Sequence, residues 1–171
     1  MLEIEVKVRV KDTAAFRHAL LESGARLEKE RYREENTLYD TAAQALWRSQ
    51  SALRLRQAGK KTFLTFKGAP HKSRRFKVRE EFETEVKNEK QIRKILRALG
   101  LRPVFRYQKL RTDFRKGRLK ISLGETAAGS FCEFEGERNE IMKFARTLGV
   151  ARSDLIKLDY VQLLQQKEKK R

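Results

Sequence analysis

The sequence predicts an antiparallel α+β domain. Three observations lead there: short alternating strands in hairpin succession, amphipathic helices set between them, and strand faces that carry charges of both signs. At 171 residues the chain suits one domain with its own hydrophobic core. That domain is expected over residues 1–166, with 167–171 as a basic tail, a solvated and frayed helix end.

The first strand declares itself by strict alternation. Leu2, Ile4, Val6, Val8 and Val10 share one face, and Glu3, Glu5, Lys7 and Arg9 the other. Residues 12–24 read as a helix, with Asp12 or Thr13 as N-cap, Gly24 as terminator and Ala15, Phe16, Ala19 and Leu20 as its stripe. An extended segment at 26–40 precedes an irregular stretch at 41–49. Strands at 51–57 and 61–67 flank Ala58-Gly59-Lys60, a hairpin turn. A basic loop with Gly68, Pro70 and Ser73 leads to a strand at 76–87. Asn88 then caps a second helix, with Gln91 placed for a capping box, Ile92, Ile95, Leu96 and Leu99 as its stripe and Gly100 as its end. Strands at 103–115 and 118–124 meet at Lys116-Gly117. A loop of small residues (126–130) precedes a last strand at 131–137, and helices at 138–148 and 154–166 complete the chain. The total is roughly eight strands, mostly antiparallel neighbours.

Composition removes several classes of function. No run of about eighteen apolar residues is present, so no membrane span is expected. The opening Met1-Leu2-Glu3-Ile4-Glu5 lacks the basic-then-apolar layout of a signal peptide. The single cysteine, Cys132, excludes an internal disulfide framework and a cysteine zinc cluster, and a cytoplasmic setting is expected. Lys and Arg number 41 against 23 Asp and Glu, a formal charge of +18 that attracts polyanions. A nucleic-acid binder needs stacking aromatics among its surface cations, whereas Phe66, Phe82 and Phe134 alternate onto apolar faces. Nucleic acid is therefore not expected as the primary ligand. A homodimer is left open.

Several strands set an apolar face against a face of mixed charge. Leu53 and Leu55 oppose Arg54 and Arg56, and Phe76 and Val78 oppose Lys77 and Arg79. Phe82 and Val86 oppose Glu81, Glu83 and Glu85, while Cys132 and Phe134 oppose Glu133 and Glu135. Any one such strand reads as a sheet with its charged side in water. Taken together, the amphipathic helices need apolar surface to cover. With helices outside, the charged faces line the inside of a curled sheet or barrel.

In Glu3-x-Glu5-x-Lys7, residues two apart on a strand point the same way, so two carboxylates and an ammonium converge. Paired hard oxygen ligands suit Mg²⁺ or Mn²⁺. Glu133-x-Glu135 and Glu81-x-Glu83 supply two further pairs. Arg54-x-Arg56, Lys67, Arg79 and Lys109-x-Arg111 are matching cations, and arginine forks fit phosphate oxygens in bidentate fashion. Acids and bases in this combination point to metal-assisted phosphoryl chemistry.

These motifs occur in an order that resembles the CYTH domain, or triphosphate tunnel metalloenzyme, family of class IV adenylate cyclases, thiamine triphosphatases and inorganic tripolyphosphatases. The resemblance runs from Glu3 to about Tyr160. Glu3-Ile4-Glu5-Val6-Lys7, Leu38-Tyr39-Asp40, Ala52-Leu53-Arg54-Leu55-Arg56 and Leu64-Thr65-Phe66-Lys67-Gly68 open it. Arg79-Glu80-Glu81-Phe82-Glu83, Lys109-Leu110-Arg111 and the segment from Gly129 to Gly136 continue it. It implies an eight-stranded antiparallel tunnel with a charged lumen, and a triphosphate such as tripolyphosphate or ATP as ligand. Glu3, Glu5, Glu133 and Glu135 would hold Mg²⁺ or Mn²⁺. Lys7, Arg54, Arg56, Lys67, Arg79, Lys109 and Arg111 would grip phosphates. Glu81, Glu83 and Lys7 would be catalytic, the two carboxylates completing an acidic wall.

Three features depart from the family pattern. Gly124 stands where an acidic residue is common, and Glu125 beside it has the opposite parity, which leaves a weakened or altered activity open; a large gain on restoring Asp at position 124 would show that this departure had silenced the site. Asp159-Tyr160 replaces a Ser-Tyr pair. A His-Phe pair of class IV cyclases, upstream of Glu3, is absent, which favours hydrolysis of a triphosphate over cyclisation of ATP. A noncatalytic polyanion-binding module is the third reading.

The remaining features read plainly. His18 and His71 are surface or packing residues, Cys132 faces the core, and Leu46 and Trp47 anchor the loop around them. The basic run from His71 to Lys77 is either a phosphate-recruiting loop or solvated charge.

Overall fold

Side-chain alternation organises the molecule. A computed structural model describes residues 2–169. Its strands are β1 (Leu2–Val10), β2 (Arg26–Asp40), β3 (Ala52–Ala58), β4 (Lys61–Lys67), β5 (Lys77–Val86), β6 (Arg102–Lys116), β7 (Leu119–Thr126) and β8 (Gly129–Glu135). Its helices are α1 (Thr13–Glu22), α2 (Ala45–Arg48), α3 (Glu89–Ala98), α4 (Arg138–Thr147) and α5 (Tyr160–Glu168). The strands hydrogen-bond in the order β1-β5-β4-β3-β2-β6-β7-β8 and close into a barrel. The expected eight-stranded antiparallel barrel is thus what the chain forms. No helix of the described residues is long and apolar enough to cross a membrane.

The chain divides into two compact units. The first comprises 1–2, 33–71 and 79–108; the second comprises 3–32, 72–78 and 109–171. In the second unit, Val6, Val8, Ile121, Leu123, Cys132 and Phe134 form the apolar face of β1, β7 and β8. Leu20 of α1 and Ile141 and Phe144 of α4 pack onto it, and Phe134 meets Phe144 edge to face at 6.1 Å. Each large side chain so buried contributes roughly 1.5–3 kcal/mol. Asp12 caps α1 by accepting from the Ala14 and Ala15 amides, and Gly24, at φ +79°, ends it in a conformation that favours glycine. In the first unit a smaller core joins Tyr39, Leu55 and Leu96 with Leu53, Leu64 and Ile92, so α3 covers the apolar side of β3 and β4. Asn88 caps α3 by accepting from the Gln91 amide at 3.1 Å.

Four local expectations are corrected. The irregular stretch after β2 contains α2, because the Asp40 carboxylate accepts from the amides of Thr41 (2.7 Å), Leu46 (3.0 Å) and Trp47 (2.9 Å). Trp47 is thereby anchored by its backbone, while its side chain is exposed. The helix expected at 154–166 is instead a short 3₁₀ turn at Arg152–Asp154, an extended link and α5. Ile156 exchanges both backbone hydrogen bonds with Lys7, at 3.0 and 2.7 Å, which holds that link extended. Asp159 and Gln162 then form the capping box that starts α5. Ile95 and Leu99, expected in the buried stripe of α3, are exposed, because the small core of this unit reaches only Ile92 and Leu96. Phe82 likewise lies exposed, stacked on Phe66 at 6.5 Å. Of the expected basic tail, Lys167 belongs to α5, and residues 170–171 lie outside the described residues.

Candidate active site

In each unit the sequence-predicted site residues occupy the strand face opposite the one the core uses. In the second unit β-pairing aligns Lys7 with Glu133 and Glu133 with Ser122, and Ser122 in turn with Asp113. The Lys7 ammonium lies 3.0 Å from both Glu5 and Glu133. Glu133 also meets Lys109 at 3.4 Å and accepts from the Tyr160 hydroxyl at 3.3 Å. Lys77 links Glu5 at 3.9 Å to Asp159 at 3.3 Å. Glu3, Glu5, Lys7, Lys77 and Lys109 are all buried.

Such burial sets the protonation states. Burial alone would lower the Lys7 pKa, but Glu133 and Glu5 outweigh it and hold the ammonium protonated far above its ordinary range. Burial would raise Glu133, yet Lys7, Lys109 and Arg111 hold it well below the usual carboxylate range. Lys7 therefore acts as a fixed positive charge. Arg111 donates to Asp113 at 2.6 Å, and Asp113 also accepts from Ser122 (2.9 Å) and Tyr32 (2.8 Å). Glu135, opposite Glu5 in register, meets Lys120 at 2.6 Å.

Among the described residues no group of three or more His, Cys, Asp or Glu side chains is assembled to hold a metal. The donor chemistry nevertheless fits a hard divalent ion. Glu5 and Glu133 present carboxylate oxygens to one shared cation, here the Lys7 ammonium, with Glu3 buried two residues before Glu5 on the same strand.

The first unit holds the other cations. Register places Leu38, Arg54, Thr65 and Glu83 in one row, Asn36, Arg56, Phe63 and Glu85 in the next, and Lys67 opposite Glu81. Glu83 accepts from Arg56 at 2.8 Å and from the Thr65 hydroxyl at 2.6 Å, and lies 3.7 Å from Arg54. Arg56 also reaches Glu34 at 3.4 Å, stacks on Phe63 at 4.8 Å, and leaves its buried Nε without a hydrogen-bond partner. Arg54 leaves its buried Nε in the same condition. Burial would lower the Arg54 pKa, but Tyr107, Glu34, Glu83 and Glu81 more than offset it, so the guanidinium stays charged. Lys67 pairs with Glu81 at 3.1 Å, and Arg79 is buried.

The sequence-predicted residues thus fall into two clusters, one per unit. Glu3, Glu5, Lys7, Lys109, Arg111, Glu133 and Glu135 belong to the second, and Arg54, Arg56, Lys67, Arg79, Glu81 and Glu83 to the first. Sequence reasoning missed Glu34, Asn36, Thr65, Asp113 and Ser122. Parity along β2 and β6 could have found Glu34 with Asn36, and Asp113 with Arg111. Tyr160 carried no such signal, since it reaches the cluster from a helix. Glu125 turns to Arg31, accepting at 2.9 and 3.0 Å, in keeping with its parity.

A closed antiparallel barrel with rows of buried acids and bases on its strands defines an ionic class of β-barrel. The chain belongs to the CYTH domain family, whose model matches residues 1–160. It is 26% identical over 174 positions to a Methanocaldococcus jannaschii protein named "Putative adenylate cyclase", covering 95% of this chain and 98% of that one. A solved structure of a "putative adenylate cyclase" from Vibrio parahaemolyticus superposes with a TM-score of 0.83 at 21% identity, covering 96% of this chain and 98% of that one. A "putative adenylyl cyclase" from Hippeastrum, described as revealing a dominant triphosphatase activity, has a TM-score of 0.67 at 21% identity, covering 96% of both chains. At these identities the structural likeness speaks for the fold.

Proposed function

We propose that the chain is an enzyme that hydrolyses a triphosphate, inorganic tripolyphosphate or an organic triphosphate, with Mg²⁺ or Mn²⁺. The unmatched Nε donors of Arg54 and Arg56 carry this reading. A buried donor without an acceptor costs roughly 1–3 kcal/mol, and a phosphate oxygen that drew the guanidinium toward it would relieve that cost. In the first unit Arg54, Arg56, Lys67 and Arg79 are the cations offered to phosphate oxygens; in the second unit they are Lys109 and Arg111. Lys7, held protonated, stabilises charge on the phosphates without exchanging a proton. Glu3, Glu5, Glu133 and Glu135 would hold the metal, which supplies Lewis acidity toward phosphate oxygens. A water oxygen bonds to the terminal phosphorus, the bridging P–O bond breaks, and the leaving group departs with that bridging oxygen: pyrophosphate from tripolyphosphate, the organic diphosphate from an organic triphosphate. Glu83 keeps Arg54 and Arg56 in place and Glu81 holds Lys67, and either carboxylate can accept the proton lost by water.

The names of the relatives favour a second reading, cyclisation of ATP. Purified protein is incubated with tripolyphosphate or ATP, each with Mg²⁺, Mn²⁺ or EDTA, and the products are separated by ion exchange. Orthophosphate from tripolyphosphate, exceeding cyclic AMP from ATP and lost in EDTA, is the expected result. Cyclic AMP and pyrophosphate with little orthophosphate would reverse the choice. Triphosphate bound but unchanged would leave a binding module.

A further inference from the structure

Gly124 lies on β7 opposite Arg111 and Phe131, on the charged face of the second unit. A Cβ built there would sit 2.6 Å from the Tyr160 hydroxyl oxygen, but 3.5 Å from the ring carbon that bears it and 3.6 Å from the Lys109 Cδ. The first distance is a collision; the other two are ordinary contacts. Tyr160 is buried, with its ring edge to face with Phe131 at 6.0 Å. The Lys109 ammonium lies 4.4 Å and the Lys7 ammonium 5.4 Å from the centre of that ring, while its hydroxyl meets Glu133 at 3.3 Å. One side chain thus touches three members of the acid-base cluster. It is held there because it opens α5 directly after Asp159, whose carboxylate caps the helix and pairs with Lys77.

We propose that Tyr160 is the positioning residue of the Lys7–Lys109–Glu133 cluster, and that residue 124 is glycine because the Tyr160 hydroxyl fills the space its side chain would need. The binding part of this proposal rests on the triphosphate reading. It also decides the outcome of restoring an acidic residue at position 124. An Asp there would strike the hydroxyl and set a carboxylate beside Glu133, so G124D lowers tripolyphosphate binding and stability and does not reactivate a silenced site.

The test is a double-mutant cycle of wild type, G124A, Y160F and G124A/Y160F, with Y160A as a fifth protein. Melting temperature and the tripolyphosphate dissociation constant are measured for each. Overpacking lowers the melting temperature of G124A by roughly 5 °C. In the Y160F background the Cβ meets only ordinary contacts, and alanine suits a strand better than glycine, so the same change is neutral or raises it. Additive melting shifts would overturn the proposal. For binding, Y160F keeps the ring beneath the ammoniums and loses the hydroxyl with its bond to Glu133, weakening tripolyphosphate about threefold, while Y160A loses the platform too and weakens it about thirtyfold. Equal affinities in wild type, Y160F and Y160A would show a structural role alone and overturn the positioning role. If wild type itself binds no tripolyphosphate, the proposed function has failed, and the melting cycle still decides whether Tyr160 dictates Gly124.

Discussion

Replacing Glu133 with Gln tests the electrostatic account of the second unit most directly. Glu133 is in contact with two ammoniums, at 3.0 Å to Lys7 and 3.4 Å to Lys109, whose side chains are only 3% and 2% exposed. The amide keeps the shape and most hydrogen bonds but removes the charge. Breaking a buried ion pair from one side costs roughly 3–5 kcal/mol, because the remaining charge is left uncompensated. Glu5 still faces Lys7 at 3.0 Å, which places the expected loss toward the lower end. The sign of the pH dependence follows from the depressed Glu133 pKa. Its contribution is fully present above the ordinary carboxylate value of 4.5 and is lost only as pH falls through the lower folded value. The gap between wild type and E133Q is therefore constant from neutral pH to 4.5 and narrows only below it. Urea unfolding of both proteins across that range measures the gap. A loss under about 1 kcal/mol at neutral pH, or a gap that closes well above pH 4.5, would refute the reasoning.

Glu5→Gln is expected to abolish metal-dependent turnover while the protein stays folded, because Glu5 pairs with Glu133 in offering hard oxygens; unchanged activity of this variant in Mg²⁺ would count against the metal assignment. Arg56→Ala and Lys109→Ala are each expected to weaken tripolyphosphate binding at least tenfold, against less than twofold for exposed Lys169→Ala, since exposed charge is screened by salt. Calorimetric titration with tripolyphosphate compares the three, and equal losses would sink the distinction. Asp40→Ala removes the acceptor of the Thr41 amide and of two amides in α2 and is expected to cost about 2 kcal/mol, with new proteolytic cleavage between residues 41 and 51. Limited proteolysis followed by mass spectrometry reads the result, and an unchanged digestion pattern would argue against Asp40 as the loop's anchor.

Much of this protein was legible in its sequence because strand periodicity is local. Alternation from Leu2 to Val10 shows which residues share a face, and the pairing of β1 with β8 places Lys7 opposite Glu133 on that basis. The same logic located Arg54, Arg56, Lys67, Glu81 and Glu83, and Asp12, Gly24 and Asn88 marked helix ends through backbone groups only a few residues away. Contacts between residues distant in sequence were decided by the tertiary structure. No local pattern says that Ile156 will bond to Lys7, so the link before α5 looked helical until its backbone partner was known. Nor does periodicity show how far a small core reaches, and Ile95 and Leu99 stay exposed although their spacing matches Ile92 and Leu96. Gly124 shows the division most clearly. In the sequence it is a missing carboxylate; in the fold it is the space that Tyr160, 36 positions along the chain (160 minus 124), needs for its hydroxyl. Chain order specifies the faces, and steric exclusion between distant segments decides what each face can hold.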